Sequence, residues 1–177
     1  MKRDLKPIIS VLQSDKRSQR LRQIFQDSPI YSLPLEAMMK EVENAHKARK
    51  SRFLDHNSPK FIESIVEAVI RDNATRSRLV EISMSCSKAE STLQQAIVPL
   101  KEYLLLTYQS EISFVRTKEE RTQVINMALA TFHKFTNSVS VVNAAAKAVI
   151  EDIDHSHWNM KLIVQAMQSD NKKEFSI

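Results

Sequence analysis

Apolar side chains recur along two long stretches of this chain in alternating steps of three and four. Leu79, Ile82, Cys86, Ala89, Leu93, Ala96, Leu100 and Tyr103 form the first seam. Ala128, Phe132, Phe135, Val139, Val142, Ala146, Val149 and Ile153 form the second. A mean step of ~3.5 residues is that of a helix presenting one continuous stripe to a partner helix. Between the seams the pattern lapses at SEISFVRT. It resumes at Thr117-Lys118-Glu119-Glu120, a capping box in which the Thr117 side chain and Glu120 satisfy each other's orphan amides. Two long helices with a short connection must lie antiparallel and bury their seams together, with Leu93 expected opposite the region of Val139 and Val142. Pro99 falls one residue before a seam position. The seam stays in phase through Leu100 and Tyr103, so a bend is expected there and not a break.

The first third of the chain reads differently. Pro7, Pro29, Pro34 and Pro59 divide it into short segments. Helices are expected over about residues 3–13, 15–27, 35–54 and 59–71, the last one opened by the Ser58-Pro59 pair as N-cap and first turn. At the other end, EDIDHSHW reads as a helix boundary, with Asp152 or Asp154 capping a last helix. Trp158 is expected to anchor that helix onto the hairpin. The fold class that follows is all-α, a long coiled-coil-like antiparallel helical hairpin with short N-terminal helices and a C-terminal helix. Its expected parts are a basic short-helix region over residues 1–72, the hairpin over 73–154, and the C-terminal helix with a frayed tail over 155–177, all within one compact domain.

The apolar stripe is wider than a two-helix contact needs near the hairpin tip. Ile97, Val98, Leu104, Leu105 and Tyr108 flank the seam there. Either the N-terminal helices or a second subunit must cover such a flank. These five residues are the candidate oligomer interface, and a homo-oligomer is expected.

Composition narrows the functional classes. The chain of 177 residues contains no glycine. Tight hairpins, phosphate-cradling loops, dinucleotide fingerprints and the serine-hydrolase elbow all depend on glycine, so a sheet-rich fold and several large enzyme classes fall away. The single cysteine, Cys86, occupies a seam position, where a small buried hydrophobe fits. It has no intramolecular disulfide partner. No stretch approaches the ~20 apolar residues of a membrane span. An intracellular, cytoplasmic protein with no membrane association is expected.

Charge is unevenly spread. Residues 1–60 hold thirteen Lys or Arg against seven Asp or Glu, a net of +6, while the remainder holds thirteen against fourteen, a net of −1. Two clusters carry the excess: Lys16, Arg17, Arg20 and Arg22, then Arg49, Lys50 and Arg52 beside Lys47. Arginines with no acid one helical turn away raise local anion affinity, and phosphate backbones suit their planar fork. These seven residues, Lys47 aside, are the candidate phosphate contacts. Aromatics are too sparse nearby to indicate base stacking. A catalytic constellation is missing. Glu151 with His155, and Asp154 with His157, have the helical spacing of carboxylate–imidazole pairs. A bundle-type metal centre needs matching sets on other helices, so no metal and no cofactor is expected.

The expected function is therefore that of a non-enzymatic, self-associating helical protein that contacts nucleic acid without sequence specificity. Its outline is that of viral DNA-packaging and recombination accessory factors, an analogy of shape alone. The alternative is a protein–protein adaptor whose basic helices meet an acidic partner.

Overall fold

The computed structural model describes residues 5–50, 58–115 and 117–174, with side chains for all of these except Lys50 and residues 169–174. Six helices are present among the described residues and no strand: α1 (Lys6–Ser14), α2 (Lys16–Asp27), α3 (Leu35–Lys50), α4 (Phe61–Thr107), α5 (Lys118–Ala128) and α6 (Ala130–Glu174), with a 3-10 turn at Pro29–Tyr31. The all-α hairpin read from the seams is what the chain builds.

Two boundaries fall elsewhere than expected. The helix anticipated at about 59–71 is the first part of α4, which runs on without interruption through Pro99. The C-terminal helix anticipated after residue 154 is the last stretch of α6. Neither Asp152 nor Asp154 caps a helix, because both carboxylates are taken by arginines on other helices. The second seam, in contrast, is interrupted near its start. The helix opened by the Thr117–Glu120 capping box closes at Ala128, and Leu129 separates it from α6.

The chain divides into two compact units, Met1–Leu35 with Ser85–Val141 and Glu36–Met84 with Val142–Ile177. α4 and α6 each contribute residues to both units. In the first, α1 and α2 bury apolar side chains against parts of α4, α5 and α6.

In the first unit, Leu12 of α1, Leu21 of α2 and Tyr31 of the 3-10 turn join Leu93, Ile97, Leu100 and Leu104 of α4 and Phe132 of α6 in one core. Leu93 is buried in the same core as Phe132 and the half-buried Phe135. Phe25 stacks on Tyr31 at 5.0 Å and meets Phe132 and Phe135 edge-on at 5.3 and 5.1 Å. Such offset and edge-on aromatic pairs contribute ~0.5–1.5 kcal/mol each beyond area burial. The Asp15 carboxylate caps α2 through the amides of Arg17 and Ser18 and accepts from the Tyr108 hydroxyl at 3.0 Å and the Tyr103 hydroxyl at 3.3 Å. Burial alone would raise this carboxyl; the four hydrogen bonds outweigh it and hold Asp15 below the usual carboxylate range.

In the second unit the antiparallel pairing is read from cross-helix contacts. Along α4 from Asp72 to Arg76 to Ser83, partners step backward along α6 from His157 to Asp154 to Asn143. Phe61, Ile65 and Ala68 bury with Met160, and Leu79, Ile82, Ala146, Val149 and Ile153 are buried further along. The Ser83 hydroxyl donates to Asn143 Oδ1 at 2.7 Å, a buried polar link between the long helices. Cys86, in the first unit, is fully buried, and burial raises its thiol pKa, with Glu90 adding to the effect.

Candidate nucleic-acid interface

The two basic clusters meet different fates. The first lies on α2, whose start is fixed by the Asp15 cap. Ser18 and Leu21 face inward, so the 100° turn per residue sends Arg17, Arg20 and Ile24 to one flank and Lys16 to the outer surface. Arg17 and Arg20, with Leu21 and Ile24, line a groove of about 240 Å³ against Ala96, Pro99 and Leu100 of α4. Pro99 suits this wall, since it is compact and has no amide of its own. The Arg17 guanidinium lies over the Tyr103 ring, 3.9 Å from its centroid. Stacking holds the plane of the guanidinium and leaves its N–H edge outward, the arrangement in which arginine grips a phosphate. Among the described residues no acid pairs with the side chains of Lys16, Arg17 or Arg20. Arg22 is half-buried and, 200° around the helix from Arg20, faces away from this groove.

In the second cluster, Arg49 is not free. Arg49 binds the buried Asp72 carboxylate through Nη1, Asp152 Oδ2 through Nε at 3.1 Å, and the Asp152 carbonyl through Nη2 at 3.1 Å. Its side chain is only 9% exposed. The expectation of an unpaired Arg49 is corrected: its acids lie on α4 and α6, 23 and 103 residues away in sequence. With every nitrogen engaged, Arg49 leaves the set of phosphate candidates. The side chain of Lys50, and Arg52 as a whole, lie outside the described residues.

No family model, curated protein or solved structure matches this chain. What it does must be argued from its own residues.

The apolar flank expected to join subunits is largely spent inside the first unit. Ile97 and Leu104 are buried in its core, Leu105 and Tyr108 are half-buried against that core, and Val98 alone is exposed. The N-terminal helices are the cover, since Leu5, Ile8, Ile9, Phe25 and Ile30 pack against the same core. As an oligomer interface these residues are therefore corrected. Exposed apolar side chains in the second unit include Ile62, Val66 and Ile70 along α4 and Trp158 and Leu162 along α6. Trp158 is 61% exposed, contrary to its expected anchoring role. Successive four-residue steps make each set a strip.

The carboxylate–imidazole residues are dispersed among structural partners. Asp154 accepts from Arg76 at 2.7 and 3.1 Å, and this hydrogen bonding holds its carboxyl below the usual range. His157 Nε2 stands 3.7 Å from the Asp72 carboxylate. Glu151 and His155 are exposed. Among the described residues no group of three or more His, Cys, Asp or Glu is placed to hold a metal ion. No helix among them is long and apolar enough to cross a membrane.

Proposed function

We propose that this protein is a non-enzymatic helical module that contacts nucleic-acid phosphates through the basic flank of α2. One observation carries the reading: Arg17 and Arg20 share a groove and have no acid partner, whereas the buried and half-exposed arginines of the second unit (Arg49, Arg76 and Arg78) are each fastened to carboxylates. Arginine that a fold holds in place yet leaves unneutralised is available to an external anion. Lys16 extends the positive surface around the outer face of α2. The net charge of +5 adds long-range attraction to a polyanion. The contact proposed is with phosphates, which carry no sequence information.

The test is fluorescence anisotropy of a labelled oligonucleotide at several salt concentrations, comparing the parent with Arg17→Ala/Arg20→Ala. The double variant is expected to weaken binding to unrelated sequences equally and to reduce the salt slope by about two, roughly one for each phosphate no longer held. A parent that does not bind at low salt, or a double variant with an unchanged slope, sinks the reading.

A second reading, docking of a protein partner or of a second copy, is favoured by the strips Ile62–Val66–Ile70 and Trp158–Leu162. Large apolar side chains spaced along a helix face are what helix-in-groove recognition uses.

A further inference from the structure

We propose that the groove between α4 and the α5–α6 junction is a second, separate binding site for a phosphate group. It stands on different residues from the α2 surface and lies wholly within the first unit. It lies beside Leu129, whose backbone (φ −97°, ψ 15°) separates α5 from α6 while its amide donates to the Ile125 carbonyl and its carbonyl accepts from the amides of Phe132 and His133. The groove, of about 670 Å³, is lined by Lys101 of α4, Gln123 and Asn126 of α5, and His133, Lys134 and Asn137 of α6.

The lining has a marked chemical bias. Two ammonium groups and several neutral hydrogen-bonding groups face the space, and among the described residues no carboxylate does. The ligand that neutralises such a lining is an anion, and two cations match a phosphate dianion. One lining residue also carries unmet demand. His133 Nε2 is sealed from solvent with no hydrogen-bond partner. A buried polar atom left unsatisfied is costly, so a small rotation of the imidazole that lets an Nε2–H donate to a bound phosphate is favoured over the empty arrangement. The charged groups around the His133 ring agree. Burial, then the Lys101 ammonium, pushes the imidazole below its ordinary pKa. Lys101 comes from α4 and Lys134 from α6 itself, while α5 contributes the uncharged Gln123 and Asn126. A phosphate seated between the lysines offsets that repulsion, so its binding must raise the His133 midpoint.

The same phosphate chemistry has two sources, a small phosphorylated molecule or a nucleic-acid backbone. Imidazole resonances are followed by NMR through a pH titration, with His133 assigned by its loss in His133→Gln. One arm adds inorganic phosphate at fixed ionic strength, and the other adds a short oligonucleotide lacking terminal phosphates. Saturable movement of His133 and a raised midpoint with inorganic phosphate support a small phosphorylated ligand. The same response with the oligonucleotide alone supports backbone phosphates. Lys134→Ala, at an exposed position, is expected to weaken either response about tenfold, in keeping with the loss of a charge-assisted hydrogen bond. Lys101→Ala should do the same, and Arg17→Ala/Arg20→Ala should leave it unchanged. A retained response in that last variant separates this site from the α2 surface, whichever way the anisotropy experiment falls. A His133 resonance that ignores both ligands, or that moves equally in Lys134→Ala, overturns the proposal.

Discussion

Replacing Arg49 with alanine removes a cation that binds the interior carboxylate of Asp72, and the cost follows from the geometry. The Asp72 side chain is 1% exposed and that of Arg49 is 9% exposed, so water cannot take over the role of the guanidinium without opening the packing of α3 on the long helices. Removing one partner of a buried pair costs ~3–5 kcal/mol, chiefly because the remaining charge stays desolvated. The two bonds to Asp152 add less. That side chain is 59% exposed, and solvent screening limits such a pair to ~1 kcal/mol or below. A total near ~4 kcal/mol is expected, which for a chain of this size lowers Tm by ~8–16 °C. Asp152→Asn is the control and should fall by no more than a few degrees. Melting followed by circular dichroism measures both, and an Arg49→Ala/Asp72→Ala double variant gives the coupling energy. The oligonucleotide affinity of Arg49→Ala, measured well below its melting point, should match the parent, since the Arg49 guanidinium is held against Asp72 and Asp152 with its side chain only 9% exposed. A variant that melts within about 2 °C of the parent but loses oligonucleotide binding would refute this account of Arg49.

The α2 cap and the apolar strips of the second unit give two further tests. Asp15→Ala removes the cap and both tyrosine hydrogen bonds, and the cap alone is worth ~0.5–2 kcal/mol. Because the folded-state pKa of Asp15 lies below its ordinary value of 3.8, its contribution is present above that value and is lost as pH falls through the lower one. The stability gap between parent and variant should therefore be full at neutral pH and close in acid; a gap independent of pH would count against the hydrogen-bonded carboxylate. For the second unit, Val66→Lys/Leu162→Lys should abolish any concentration-dependent association seen by sedimentation and leave the melting temperature near that of the parent. Association that survives the double change rules out these strips as its cause.

What could be read in advance divides along physical lines. The seams, the capping box and the burial of Cys86 depend on spacing within one helix, and spacing is visible in a string of residues. Coverage of the flank at Ile97 and Leu104 depends on which element folds over it; periodicity gave its width but not its occupant. The aromatic content of α2 and the following turn, Phe25 and Tyr31, was the available signal, because an amphipathic helix with such residues needs an apolar surface. Trp158 failed in the opposite direction. Its residue type favours burial, yet its place on α6 turns it away from Met160 and Ile153, which take the inward positions.

The two arginine clusters show why charge is the least legible property of a sequence. Arg17 and Arg49 look alike in their local surroundings, each without an acid at helical spacing. Whether either is free is decided by residues far along the chain. For Arg49 these are Asp72 and Asp152, brought in by α4 and α6. For Arg17 it is Tyr103, which holds the guanidinium without neutralising it. A carboxylate partner consumes a cation, while an aromatic partner positions one and leaves its charge to act outward. Among the described residues, Arg49 thus fastens α3 to α4 and α6, while Arg17 and Arg20 are presented on α2 without an acid partner. Arg17→Ala, which leaves Tyr103 on the Asp15 cap, is accordingly expected to cost binding and leave folding nearly untouched.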